Sequence, residues 1–282
     1  AALHLARTGG PAGRALVRER LEARFPAWQS DPILASLHFD LTAREEVLAA
    51  GTPPLADLLA HRFGNVSAVL FTIQRPNRDM PGLAVVRRPS GGFVREKGGG
   101  YFSVPHFARA ASNLPGYITN GNTPQGVFSF QGFTEVENPF IGPTETIQLV
   151  MPHEASPAVF FHGAVKDSAW SEDLYARLLP GSWRGWFPLW EAERAGRAGR
   201  TEIIAHGTTI DPWFSVGQPW FPNTPSQGCL TAYEEWSVDG VNTRSDQLTL
   251  VRVLREAGFD GGWCVVVELP GRDGPGTLAE VE

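Results

Sequence analysis

From Asn65 onward the chain is cut into short apolar runs by glycine, proline and asparagine turns, and this pattern most constrains what it can fold into. The runs fall at 66–73, 82–88, 126–133, 146–151 and 158–161, with a last one at 263–269. Between them stand Pro89-Ser-Gly-Gly92, Gly98-Gly-Gly100 and Asn120-Gly-Asn122. Glycine and proline are the strongest local punctuators, and 31 Gly with 23 Pro leave little room for a long-helix bundle. Apolar runs of this length and spacing predict a β-rich sandwich or barrel. None reaches the 18 apolar residues that a transmembrane helix needs.

The first 64 residues differ. Leu16, Val17, Leu21 and Phe25 recur at helical spacing, and Leu55, Leu58, Leu59 and Phe63 mark a second helix closed by Gly64. Thr42 and Glu45 read as a capping box ahead of Val47 and Leu48, with Gly51 as the stop. A helical N-terminal region over 1–64 and a main domain over 65–282 follow. Segment 168–199 reads as helical, so an insertion is expected at about 134–200. Thr231 to Glu234 forms another capping-box pattern, and 245–257 predicts an amphipathic helix stopped by Gly258. Acidic residues outnumber basic ones by 30 to 24 and no stretch concentrates Lys or Arg, which argues against a nucleic-acid partner. The chain starts at Ala1, so a signal peptide removed upstream is an expectation.

Chemistry concentrates in the C-terminal third. An apolar segment, 201–208, ends in His206-Gly207-Thr208, and 23 residues after His206 stands Cys229, within Ser226-Gln227-Gly228-Cys229. A free thiol is only a few per cent ionised at pH 7, so a nucleophilic cysteine needs an imidazole to take its proton. Gly228 lets backbone N–H groups approach a carbonyl under attack, and the N–H groups of Gly228 and Cys229 are the candidate oxyanion hole. A helix starting near Thr231 is expected to aim its positive end at the sulfur. The other cysteine, Cys264, sits in an apolar run and reads as inert packing.

The two segments resemble the L,D-transpeptidase catalytic domain, whose signature is a strand ending in His-Gly or His-Ser followed by Ser/Thr-His-Gly-Cys. A third element of that family, Thr-Pro-x-Gly-x-Phe, is matched by Thr123-Pro124-Gln125-Gly126-Val127-Phe128. The resemblance spans roughly 66–269. It implies a mixed α+β, mostly β, sandwich with the cysteine on a loop leading into a helix. It implies Cys229 as nucleophile and His206 as base and later acid, with Gly207 at the position that orients the His206 ring and Ser226 and Gly228 shaping the turn around the sulfur. It further implies peptidoglycan stem peptides as substrates, carbapenem-type acylating inhibitors, no cofactor, and a periplasmic or extracytoplasmic location.

Two positions depart from the family pattern. Gln227 replaces a second His and cannot ionise; Thr231 replaces an Arg or Asn that helps hold a substrate carboxylate. Both are candidate substrate contacts, with Thr208, His162 and Trp220. His162 ends an apolar run in Phe160-Phe161-His162-Gly163 and is a rival base. Trp183, Trp186, Trp190, Trp213, Trp220 and Trp236 are core packing or the wall of a glycopeptide groove. His4, His38, His61, His106 and His153 lack ligand spacing, so no metal site is expected. Glu234, Glu235, Asp239 and Asp246 read as capping residues or as contacts to a cationic substrate. Three functions remain open on sequence: a transpeptidase, a carboxypeptidase or amide hydrolase using the same Cys/His pair, and a non-catalytic wall-binding protein.

Overall fold

In the computed structural model, residues 2–64, 68–138, 141–166, 169–208, 226–269 and 274–281 are described. The N-terminal region is helical: α1 (Ala2–Thr8), α2 (Gly10–Arg24), α3 (Pro32–Thr42), α4 (Arg44–Ala49) and α5 (Leu55–Ala60). Helix α3, which periodicity does not reveal, has local causes. Asp31 caps it by accepting from the amides of Ile33 and Leu34, and Pro32 occupies its first turn. Thr42 does not open a helix. It closes α3, its hydroxyl donating to the His38 carbonyl, and α4 starts after Ala43 without a side-chain cap.

Among the described residues the strands that follow are β1 (Val69–Gln74), β2 (Gly82–Arg87), β3 (Ser103–Phe107), β4 (Gly126–Thr134), β5 (Thr146–Val150), β6 (Ala205–Gly207), β7 (Leu230–Ala232), β8 (Glu234–Trp236), β9 (Asn242–Ser245) and β10 (Gly262–Glu268). Eight close into a barrel in the order β1-β10-β4-β5-β6-β7-β3-β2, and β8 and β9 pair separately. The chain is thus mixed α/β around a barrel rather than a two-layer sandwich. Closure leaves the wall without a free edge. The pairs β1/β10 and β6/β7 are parallel and the other wall pairs antiparallel.

Both faces of the wall are covered, which is why its strands read as unbroken apolar runs. Leu70, Val86, Phe128, Ile147, Cys264 and Val266 share one cluster with Leu250, Val251 and Leu254 of α9 (Asp246–Glu256). Alternate residues, Val69, Phe71, Val85, Val265 and Val267, form a second cluster with Leu58 and Phe63 from the N-terminal region and with Trp183 and Leu189. Trp183 and Trp186 are therefore packing residues, and Trp213 and Trp220 lie outside the described residues. Segment 158–161 is not a strand. Ser156 caps a helical turn, α6 (Pro157–Phe160), and Pro157 cannot donate to a ladder. Between 168 and 200 lie α7 (Glu172–Ala176) and α8 (Glu191–Arg197), whereas β5, inside 134–200, is part of the wall.

Candidate active site

Strands β6 and β7 run side by side in parallel, with His206 opposite Thr231 and Ala205 opposite Leu230. Ala205 and Leu230 belong to the inner cluster. Side chains alternate along a strand, so His206 and Thr231 project away from that cluster, while Cys229 stands just before β7.

The cysteine turn is built by its neighbours. Ser226 Oγ donates to the Cys229 carbonyl at 2.7 Å and accepts from the Gly228 amide at 2.9 Å. The Gly228 amide is therefore already engaged and is not a free oxyanion donor; the Cys229 amide remains the candidate. Thr123, wholly buried, donates from Oγ1 to the Gly228 carbonyl at 2.8 Å. The Ala111 amide donates to the Ser226 carbonyl at 2.8 Å. The segment preceding Thr-Pro-x-Gly thus grips the cysteine turn directly. Gly228 has φ of 125°, and a Cβ there would overlap the Arg200 guanidinium.

His206 is 6% exposed, and its Nδ1 lies 2.7 Å from the Gly207 carbonyl. A carbonyl only accepts, so Nδ1 carries the proton in that bond. Burial lowers the His206 pKa, partly offset by the carbonyls of Gly207 and Ile141. Burial raises the Cys229 pKa, and the Glu202 carboxylate adds to this; the Ile204 backbone and the Arg200 charge pull it down. Cys229 is half-buried, and its Sγ donates to the Glu202 carbonyl at 3.6 Å rather than to His206. Both shifts favour the uncharged forms, a thiol at Cys229 and a neutral imidazole at His206. No helix follows the cysteine: 230–236 forms β7 and β8, so a dipole from that quarter is absent among the described residues.

The proposed binding residues separate. Gln227 is exposed beside the cysteine. Thr231 and Thr208 are 1% and 4% exposed, and Thr208 Oγ1 accepts from the Glu234 amide, so both serve the strand rather than a ligand. His162 bonds Ser129 and the Gly262 carbonyl against the edge of Trp263. These partners place it by β4 and β10, three strand spacings, about 14 Å, around the wall from β7; it neither lines this site nor rivals His206. Trp220 falls in 209–225, outside the described residues.

Arg200 escapes sequence reasoning, and Glu234 takes a place other than the capping or substrate-binding one expected. Glu234, wholly buried, accepts from Ser245 Oγ, and its carboxylate lies where a Cβ on Gly207 would stand. Arg200 donates to the carbonyls of Gly116, Gly121 and Asn122 behind the cysteine turn. In sequence Glu234 is marked only as the end of a capping-box pattern, and Arg200 only by following Gly199 just after α8. Cys264 is fully buried, and burial pushes its thiol pKa far up, whereas Cys229 is only half-buried. No family model, no curated protein and no solved structure matches the chain.

Proposed function

We propose that the chain is a cysteine acyltransferase of the L,D-transpeptidase kind, acting on peptidoglycan stem peptides outside the cytoplasm. The observation that supports this most is the meeting of three distant motif segments: the strand holding His206 pairs in parallel with the strand that Cys229 leads into. Thr123 hydrogen-bonds the turn between them.

The sequence of steps follows from the site's protonation. His206 Nε2 takes the Sγ proton as the thiol attacks the carbonyl of the L-centre of the diamino acid. The oxyanion forms within reach of the Cys229 amide, a contribution of about 3 kcal/mol per donor in acyl transfer. Collapse breaks the peptide bond, His206 returns the proton to the leaving D-residue amine, and a thioester remains. An amine of a second stem resolves it. Neutral reactants suit this route, since the proton moves only once a substrate carbonyl is present.

A water-resolved variant, giving a carboxypeptidase or amide hydrolase, draws on one specific observation. Buried Thr231 offers nothing at the position where the family holds a substrate carboxylate. Intact mass spectrometry after carbapenem exposure tests the nucleophile: one covalent adduct is expected on the native chain and none on Cys229→Ala. Purified stem tetrapeptides then separate the readings, dimers marking the transferase and tripeptide alone the hydrolase. No adduct and no product would leave a wall-binding protein.

A further inference from the structure

The geometry points to Arg200 as a positioning residue for the nucleophile: its buried guanidinium fastens the 116–122 loop behind the cysteine turn and sets a fixed positive charge beside the Cys229 thiolate. This rests on Cys229 being the nucleophile, but not on the identity of the acyl substrate.

The guanidinium is 5% exposed. Nη2 donates to Gly121 O at 2.7 Å, and Nη1 donates to Asn122 O at 2.9 Å and to Gly116 O. A planar fork can bridge several carbonyls where an ammonium cannot. The same group fills the space a Cβ of Gly228 would need, so it lies against the residue that precedes Cys229. The loop it holds leads into Thr123, whose hydroxyl bonds the Gly228 carbonyl. One side chain thus ties the two motifs together from behind.

The charge has a clear electrostatic task. The groups that bear on the sulfur are the Glu202 carboxylate, which opposes ionisation, the Ile204 backbone and Arg200. His206 stands on the neighbouring strand, neutral in the resting site. Among the described residues, Arg200 is the cation coupled to Cys229. Burial brings the Arg200 pKa down to about 10, while Glu191 and the cysteine charge hold it up, so it stays protonated at neutral pH. It supplies what a helix N-terminus does in other reactive-cysteine sites.

Alkylation of the full chain by iodoacetamide, followed from pH 6 to 11 on Cys229, tests the inference without any peptide substrate. Arg200→Met is expected to move the alkylation midpoint up by about one pH unit, tenfold less thiolate at a given pH. Arg200→Lys keeps the charge and should hold the midpoint closer to that of the native chain while loosening 116–122 in hydrogen exchange. A purely structural clamp gives faster alkylation at every pH with the midpoint unmoved, and that result overturns the charge. If Arg200→Met does not fold, the native chain decides. Its iodoacetate-to-iodoacetamide rate ratio should exceed that of an unstructured cysteine peptide, and an equal or lower ratio rejects a cation at the sulfur. Loss of transpeptidation with these results intact would strike the proposed substrate alone.

Discussion

At the scale of single residues, the cysteine turn depends on contacts that cost little to break and much to lose. Ser226→Ala removes two hydrogen bonds from that turn, at about 1–3 kcal/mol together. We expect a lower melting temperature and slower acylation of Cys229 by a carbapenem, both measurable on one preparation. Gly207→Ala puts a methyl group into the Glu234 carboxylate, and overpacking costs about 1–3 kcal/mol; urea denaturation should register it, and an unchanged midpoint would refute the close approach. His106 is a third case. It lies wholly buried on β3 with Nδ1 3.0 Å from Thr72 Oγ1, and burial, with His206 nearby, lowers its pKa to about 3. The unfolded chain therefore binds protons that the folded chain refuses once the pH drops below about 6.5. Stability should be full above that value and fall, by up to about 1.4 kcal/mol per pH unit, as the pH approaches 3. His106→Gln should flatten this acid limb in pH-dependent unfolding.

Among the elements, legibility followed how local the cause was. Helix α9 announces itself through Ser245, an amphipathic run and Gly258, and the structure ends it within a residue of the expected place. Its Ser245 hydroxyl accepts from the Leu248 amide, so Ser245→Ala should cost about 1 kcal/mol, and more because the same hydroxyl donates to Glu234. Strands β1, β2, β4, β5 and β10 were visible because both of their faces are buried, which forces consecutive apolar residues. Strand β3 was not, since Pro105 and His106 interrupt the pattern and its pairing comes from β2 and β7. Capping-box patterns misled twice. Thr231 sits in β7, which adds in parallel to β6, and Glu234 in β8, which pairs with β9, tertiary demands that outweigh a four-residue local preference. At 158–161 the error was the reverse: a short apolar run does not distinguish strand from buried helix, and Ser156-Pro157 decided for the helix.

For the whole molecule, the N-terminal helices are structural cover. Leu58, Leu59 and Phe63 close the outer apolar layer, and Trp263 Nε1 donates to the Phe63 carbonyl at 2.7 Å. Leu58→Ala should destabilise the entire chain by about 2–5 kcal/mol in one cooperative transition seen by both far-ultraviolet and tryptophan signals. Loss of the helical signal alone, with the barrel intact, would show instead that the two parts fold separately. What the sequence determined unaided was chemical and local: one cysteine in a turn, one imidazole at a strand end, a helical start and a set of doubly buried strands. Those follow from side-chain type and from periodicities of two and 3.6, which a linear chain carries in itself. The tertiary structure alone decided that the sheet closes as a barrel, that β6 and β7 are neighbours, that His162 stands elsewhere, that Arg200 lies against Gly228, and that Glu234 lies against Gly207. Such facts depend on which distant strands pair and on which buried charge fills the space a glycine leaves. Neither is encoded in the spacing of residues along the chain.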